Sequence, residues 1–406
     1  MESESARPDR SRVLQIVSMN HAVNDGSVYL LTSLFPVVLT LFGLSVFQVG
    51  VLVGAGYLVS VVGQPIVGRY SESLDPKKLL ALGLSIISVS VLSFVFASGF
   101  YSILASVLLL RAGSCFYHPV GVSAVSKAYR GHALDRAMGI QSAFGDLGIL
   151  LVFVLSAPVY LAIGWKATFV LFALASAFDV AVTLAAYGSP AKGAVTAPKV
   201  TESKRADGGR LGTPVFFLAM SFVSGASFAV ILNYANLLLE SESHVGVLVA
   251  NIAVSGWIAL AFVGAISTGR WPTVMRRTML LFITFLASAL STVALVFTSS
   301  ELVFVVPVLL VNGFTLSATY PLLYSELSDF LAGSSERTGR SFGAVFSAQT
   351  IGGSVFGLVS GYLATLFGIP SAFLLMGLLL LAGSAMALSR ARSPRRGLEV
   401  TRLLAA

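Results

Sequence analysis

Val49-Gly50-Val51-Leu52-Val53 recurs as Val245-Gly246-Val247-Leu248-Val249, 196 residues further along a chain of 406. Beyond the pentapeptide the two copies stay in register. Gly68 falls on Gly264 and Pro76 on Pro272 at the same offset of 196. Pro119 then falls on Pro321 at 202, Ser142-Ala143 on Ser347-Ala348 at 205, and Phe169 on Phe373 at 204. Chance can supply one five-residue match among so many Val, Leu and Gly, but not a series at nearly constant offset. The chain reads as two halves in the same order, a parallel repeat.

Composition says what kind of repeat this is. Hydrophobic residues make up 56% of the chain and charged residues 11%. A soluble domain carries roughly 25% charge, so most of this surface must face lipid. Apolar stretches of about 20 residues, enough to cross about 30 Å of hydrocarbon, recur throughout. Twelve helices are predicted, at 13–42, 46–68, 79–98, 101–126, 137–163, 167–187, 214–238, 244–268, 278–298, 302–326, 341–367 and 371–389. The repeat divides them six and six. The segments are continuous apolar runs, not the alternating ten-residue segments of a membrane barrel. Arg7, Arg10 and Arg12 precede a hydrophobic stretch that contains His21 and Asp25, which reads as a retained first span and not as a cleaved signal.

Of the 26 Lys and Arg, 24 fall on one side of these spans. Lys166 lies on the other side, and Arg111 lies within helix 4. The positive-inside rule then places both termini in the cytoplasm of a multi-pass protein of the cell membrane, plasma or inner. It also accounts for the net charge of +8. No aromatic-basic patch accompanies that charge, so no nucleic-acid partner is expected. The expected organisation is a cytoplasmic N-terminal segment 1–12, a six-helix half 13–187, a linker 188–213, a second half 214–389 and a basic tail 390–406. The linker is marked by Gly, Pro, Ala, Lys and Ser without helical apolar periodicity. Cys115, the one cysteine, cannot form an internal disulfide and reads as packing.

Twelve spans in two parallel halves, a basic central loop and short outer loops resemble the major facilitator superfamily over essentially the whole chain. The resemblance implies an all-α membrane protein with twelve transmembrane helices in two parallel six-helix repeats. The family's loop after helix 2 survives in degenerate form. Gly68-Arg-Tyr-Ser-Glu72 through Lys77-Lys78 keeps the glycine, the acid and the basic end, whereas the second copy has Thr268 in place of the acid. By resemblance Gly68, Glu72 and Lys78 form a cytoplasmic gate; as an ordinary positive-inside loop they would only fix topology. Three segments are similar to the fosmidomycin-resistance branch: Asn20-His-Ala-Val-Asn24-Asp25, Gln64-Pro-Ile-Val-Gly68 and Phe116-Tyr-His118-Pro119. That likeness implies proton-coupled export of small drugs or metabolites. Val120 after the His-Pro pair, Asp146 where Asn is common, and Val152-Phe153 in place of an antiporter's Gly-Pro pair depart from the pattern. The last of these leaves the direction of transport open.

The residues have a physical reason to matter without the resemblance. Ionisable groups inside a bilayer are costly and face a cavity or a partner. At 1.5 Å per residue, Asp25 and Arg111 lie about 20 and 24 Å from the basic edge, and His21, His118 and Asp146 about 14 to 15 Å. All five belong to the first half. His21, Asn24 and Asp25 stand at i, i+3 and i+4, on one helix face. Asp25, His21, Asp146 and His118 are thus candidates for proton coupling, and a permanent Asp25–Arg111 or Asp146–Arg111 ion pair is the structural alternative. Arg111 either neutralises an acid or holds an anionic substrate group. In the second half the mid-span polar residues Asn251, Asn312, Tyr320 and Gln349 are uncharged. With Arg111 and Asn24, the last three of these are the candidate substrate contacts. The first half is expected to carry protons and the second to shape the substrate wall. Asn233 and Asn236 read as an outer gate or as residues reaching for water. Asp179 has no assigned partner: lipid, another subunit and the packed bundle all remain open. Gly353, Gly357 and Gly361 mark a close-packing face.

These residues point to a secondary active transporter, with a small-molecule substrate, protons and the lipid bilayer as partners and no obligate protein partner. No phosphate-binding loop is present, so the proton gradient, not a cofactor, is the expected energy source. No metal-ligand cluster or nucleophile–base constellation points to an enzyme. The alternatives are a proton symporter taking up a small organic anion through Arg111, and a transporter-like ligand sensor.

Overall fold

In the computed structural model, residues 10–71, 74–129, 132–187, 215–268, 274–330 and 335–392 are described. Their regular structure is helical throughout, with one short 3-10 turn. Helix α1 comprises Arg10–Ser33 and, after a 48° bend, Phe35–Phe42. α2 is Val46–Ser71, α3 is Pro76–Ser93 followed by the 3-10 turn Phe94–Phe96, and α4 comprises Phe100–Ser114 and Tyr117–Ala128. His132–Ala186 spans 55 residues, about 80 Å of helix and far more than one bilayer crossing. It breaks at Gly164, whose φ of 74° suits glycine, giving α5 (132–163) and α6 (165–186). The second half consists of α7 (Val215–Glu242), α8 (Val247–Ser267), α9 (Arg277–Thr298), α10 (Leu302–Phe330), α11 (Ser335–Phe367) and α12 (Pro370–Arg392). Taking each bent pair as one span and the 55-residue helix as two gives the twelve spans that the sequence predicts. Large apolar side chains such as Leu174, Phe178, Phe297 and Val303 point outward, as a bilayer requires. This is a multi-pass membrane protein.

Two spans differ from their predicted straight runs, and proline explains both. Pro36 has no N–H for the carbonyl of Thr32, and its ring crowds that carbonyl, so α1 bends there. The freed carbonyl accepts a hydrogen bond from Asn236 of α7 at 2.8 Å. In α4 the helix tightens at Cys115, with Phe116 N–H donating to the Gly113 carbonyl at 3.3 Å, just ahead of Pro119. The break re-aims Tyr117 and His118.

The repeat is visible in how helices touch. α1 packs on α5 where the backbone of Gly148 meets the Ala22 carbonyl, and α7 packs on α11 where Gly352 meets the Phe222 carbonyl. The two glycines are 204 residues apart, an offset already seen in the sequence. Both contacts leave no room for a Cβ. The halves meet along α2 and α11 and again along α5 and α8. At the end away from the basic loops they are tied together. Thr32 donates to Asn233 at 2.8 Å, Ser354 to the Gly54 carbonyl at 2.8 Å, and Asn251 to Ser156 at 3.3 Å. Gly50 and Gly361 bring their backbones together at the same end. Asn233 and Asn236 are both buried, so their place is in this seam and not at a water surface. Gly353, Gly357 and Gly361 do form a close-packing face, against Tyr57, Val53 and Gly50 of α2.

Candidate functional site

Two features occupy the middle of the bundle: a charged cluster on α1 and α4, and a cavity between the halves. In the cluster, His21 Nε2 lies 3.2 Å from Asp25 Oδ2, and His118 Nε2 lies 3.8 Å from Asp25 Oδ1. The i, i+4 spacing on α1 makes the first contact, and the break in α4 delivers the second. Asn24 donates its amide to Asp25 Oδ1 at 2.7 Å. Two neutral residues, which sequence reasoning missed, set the orientation of His21. Its Nδ1 lies 2.7 Å from the backbone carbonyl of Gln141, and its ring stacks on Tyr117 at 4.4 Å. The Gln141 side chain donates in turn to the Tyr117 hydroxyl at 2.7 Å.

A carbonyl oxygen only accepts, so where Nδ1–H donates to it a neutral His21 presents a bare lone pair at Nε2; where instead the Gln141 side-chain amide, 3.2 Å from Nδ1, donates to that nitrogen, Nε2 carries the hydrogen and donates to Asp25. In the first case, a lone pair and a carboxylate oxygen at 3.2 Å repel unless a cation lies between them. One further proton turns the contact into a hydrogen bond: on Nε2 a charge-assisted one to the carboxylate, on Oδ2 a neutral O–H···N bond. The donor atoms of His21, Asp25 and His118 all lie within 4.8 Å of one another, the one such group among the described residues. Sequence spacing alone had offered no cation-binding set.

The cavity has a volume of about 650 Å³. It runs from Ile149, Leu232 and Ser317 in mid-bundle to Gly139, Ile266 and Tyr324 near the basic end. Of the expected substrate contacts, Tyr320 and Gln349 line it, and so does Asp146, which the sequence had marked for proton coupling. Tyr320 donates to the Ser224 carbonyl at 2.9 Å, and Gln349 accepts from Tyr324 at 2.7 Å. Most of the wall belongs to the second half. α5 contributes Asp146, one residue beyond Gly145. A methyl built on Gly145 would come 2.6 Å from the His21 ring and 3.0 Å from Asp25, so cluster and cavity share one turn of α5.

Three expected substrate contacts lie elsewhere. Asn24 is buried and spends its amide on Asp25. Asn312 is buried behind the wall, accepting from Trp257 Nε1 at 3.0 Å and donating to Ser291 and Thr292 at 3.0 and 2.8 Å. Arg111 forms a salt bridge with neither Asp25 nor Asp146, contrary to both pairings considered from the sequence. Its guanidinium lies over the Tyr57 ring at 4.5 Å, with Tyr29 at 5.9 Å, toward the end away from the basic loops. It reaches no closer to the acids because it stands above the break in α4, whereas His118 follows it. Asp179 belongs to the packed bundle. It is 1% exposed, and the Asn20 amide lies 3.0 Å from both its oxygens, to which it donates once the amide oxygen and nitrogen are exchanged to satisfy both groups. At the expected gate, Gly68 packs near Pro119 and Lys78 is exposed, while Glu72 and the 188–213 linker lie outside the described residues. Asp75, also missed, caps α3 by accepting from the Lys77 N–H at 2.9 Å.

A family model, described as Major Facilitator Superfamily, matches residues 17–357 and again 217–403. The fosmidomycin resistance protein of Escherichia coli (strain K12) is 23% identical over 355 residues, 86% of each chain. The MFS-type transporter YfnC of Bacillus subtilis (strain 168) is 28% identical over 152 residues, and that match spans only 37% of either chain. Among solved structures, a bacterial homolog of the human lysosomal transporter Spinster, in an inward-facing and occupied conformation, superposes with a TM-score of 0.81. That likeness covers 96% of this chain and 98% of the other at 14% identity, and it speaks to the fold.

Proposed function

The chain belongs to the Major Facilitator Superfamily, and from that premise we propose that it exports small drug-like or metabolite molecules by proton-driven alternating access. Family and fold point to a transporter rather than an enzyme. The observation that carries the proton part is the His21–Asp25 contact: a buried imidazole and a carboxylate 3.2 Å apart, with a second imidazole, His118, 3.8 Å from the same carboxylate, form a set that can take up and release a proton. His118, half-exposed beside Asp25, gives that proton a second seat. Asp146 lies on the adjoining turn of α5, so loading the cluster changes the field felt by whatever occupies the cavity.

Alternating access is supported by the two ends of the bundle. The end away from the basic loops is closed by the Thr32, Asn233, Asn236 and Gly50–Gly361 contacts, while the cavity reaches toward the basic end. With the basic end in the cytoplasm of the cell membrane, this conformer faces inward, as an exporter must to load. Uptake of an anion through Arg111 finds no support, because that side chain lies outside the cavity. The energy source in this reading is the proton gradient, with no cofactor.

The test is flux in proteoliposomes with and without an imposed pH gradient. Wild type should accumulate substrate against its gradient when the pH difference has the coupling sign. Asp25→Asn keeps the shape but cannot carry the proton, and should lose gradient-driven flux while retaining ligand binding. Full proton-driven transport by Asp25→Asn would remove the cluster from the coupling role.

A further inference from the structure

We propose that the cavity selects an amphipathic organic cation, an apolar body bearing one positive charge, held by the Asp146 carboxylate against an aromatic wall. This rests on the transporter reading above and names its substrate class.

Size is the first argument. About 650 Å³ falls within the range of roughly 300 to 1,000 Å³ typical of sites for drug-sized ligands. The wall is the second. Phe228 and Tyr320 meet edge to face at 6.0 Å and Tyr320 leads on to Tyr324 at 6.3 Å, forming a continuous aromatic surface with Phe262 beside it. Trp257 backs Phe228 at 5.4 Å and is fixed there by Asn312. The faces of such rings carry negative charge density and attract cations. Gln349 adds an amide whose oxygen is taken by Tyr324, while its N–H2 makes no hydrogen bond with any described residue.

Charge is the third argument, and it fixes the sign. Asp146 is the one charged residue lining the cavity, with no Lys, Arg or His among the lining residues. It forms no hydrogen bond or salt bridge with any described residue. A carboxylate at this depth needs a cation or a proton to be tolerated. An anionic ligand would meet Asp146 with nothing to offset it, because Arg111 is held by Tyr57 and Tyr29 outside the cavity. The wall is therefore built to solvate a cation and to repel an anion.

The experiment uses two ions of the same shape and opposite charge, tetraphenylphosphonium and tetraphenylborate, with the full-length protein in detergent and equilibrium dialysis at one pH. Wild type should bind the phosphonium at least tenfold more tightly than the borate. Asp146→Asn should weaken phosphonium binding about tenfold or more and leave the borate within a few-fold. Asp146→Glu should restore most of the loss, which a merely misfolded variant would not do. No phosphonium binding by wild type, equal or tighter borate binding, or unchanged binding in Asp146→Asn would each overturn the proposal. Flux under a pH gradient, measured separately, reports on proton coupling. Phosphonium binding without gradient-driven flux would sink proton-driven export and leave the cation site standing. Gradient-driven flux of a neutral or anionic compound, without phosphonium binding, would do the reverse.

Discussion

A single methyl group at Gly361 should prise open the sealed end of the bundle. Built on Gly361, a Cβ would come 2.6 Å from the Cα of Gly50 and 3.0 Å from its nitrogen. Apolar carbons prefer about 3.5 to 4.0 Å, so α2 and α11 must part by roughly 1 Å at this point. The obstructing atoms are backbone, which cannot swing away. Overpacking of this kind costs about 1 to 3 kcal/mol. In an alternating-access transporter that cost falls on the conformer in which the two glycines touch. At tenfold per 1.4 kcal/mol, the closed-to-open ratio of this end should fall roughly 5- to 150-fold. Alanine also favours helix over glycine by up to about 1 kcal/mol, but it does so in both conformers, so melting temperature is the wrong readout. Nitroxide labels at Ser45 and Phe367, both exposed at this end, report the ratio directly by electron–electron distance measurement. Gly357→Ala is the matched control. Its Cβ meets Val53 Cγ1 at 2.7 Å, a side-chain tip that can rotate away, so the shift should be smaller. An unchanged distance distribution in Gly361→Ala, or a larger opening in Gly357→Ala, would refute the reasoning.

Arg111→Ala should cost at most about 2 kcal/mol, the scale of a desolvated cation–π contact, because no carboxylate is left unpaired; thermal unfolding showing a loss of 3 to 5 kcal/mol, the scale of a broken buried pair, would mean that it neutralises an acid after all. Asn312→Ala strands the Trp257 N–H and should cost about 1 to 3 kcal/mol. Because Trp257 backs the cavity wall, the same variant should change the ranking of substrates in a competition assay without altering the pH dependence of flux. A shifted pH profile would contradict the division between a proton-carrying half and a wall-forming half.

Much of this arrangement was legible in the chain because it is written along helix axes. The repeat offset, the twelve spans, the His21–Asp25 pair at i, i+4 and the small-residue face at Gly353, Gly357 and Gly361 all follow from spacing alone. What spacing cannot supply is rotation about a helix axis. Arg111 and Asp25 share a depth, yet the break at Cys115 sends the guanidinium to the tyrosines and the His118 ring to the acid. Asp179 looked isolated because its partner, Asn20, is uncharged and 159 residues away. Gln141 and Tyr117 drew no notice for the same reason, although Tyr117 stands inside a motif already singled out. The cavity wall was hidden by abundance: with 28 Phe and 12 Tyr in the chain, nothing marks Phe228 or Tyr324 before the fold brings them together.

The bend at Pro36 bears on how easily such a protein can change state. A proline in the interior of a helix leaves a carbonyl that must find a donor somewhere, and here Thr32 finds it across the seam in Asn236. When the halves part at this end, that carbonyl and that amide do not become orphans, because water enters the gap they leave and satisfies both. The latch is thus an exchange of one hydrogen-bond partner for another, close to neutral in free energy. A seam made of apolar side chains alone would hold the closed form against every opening by the full cost of wetting them. One made partly of exchangeable bonds opens at the smaller cost of swapping partners, and in the proposed transport cycle that leaves the choice of state to a proton and a ligand.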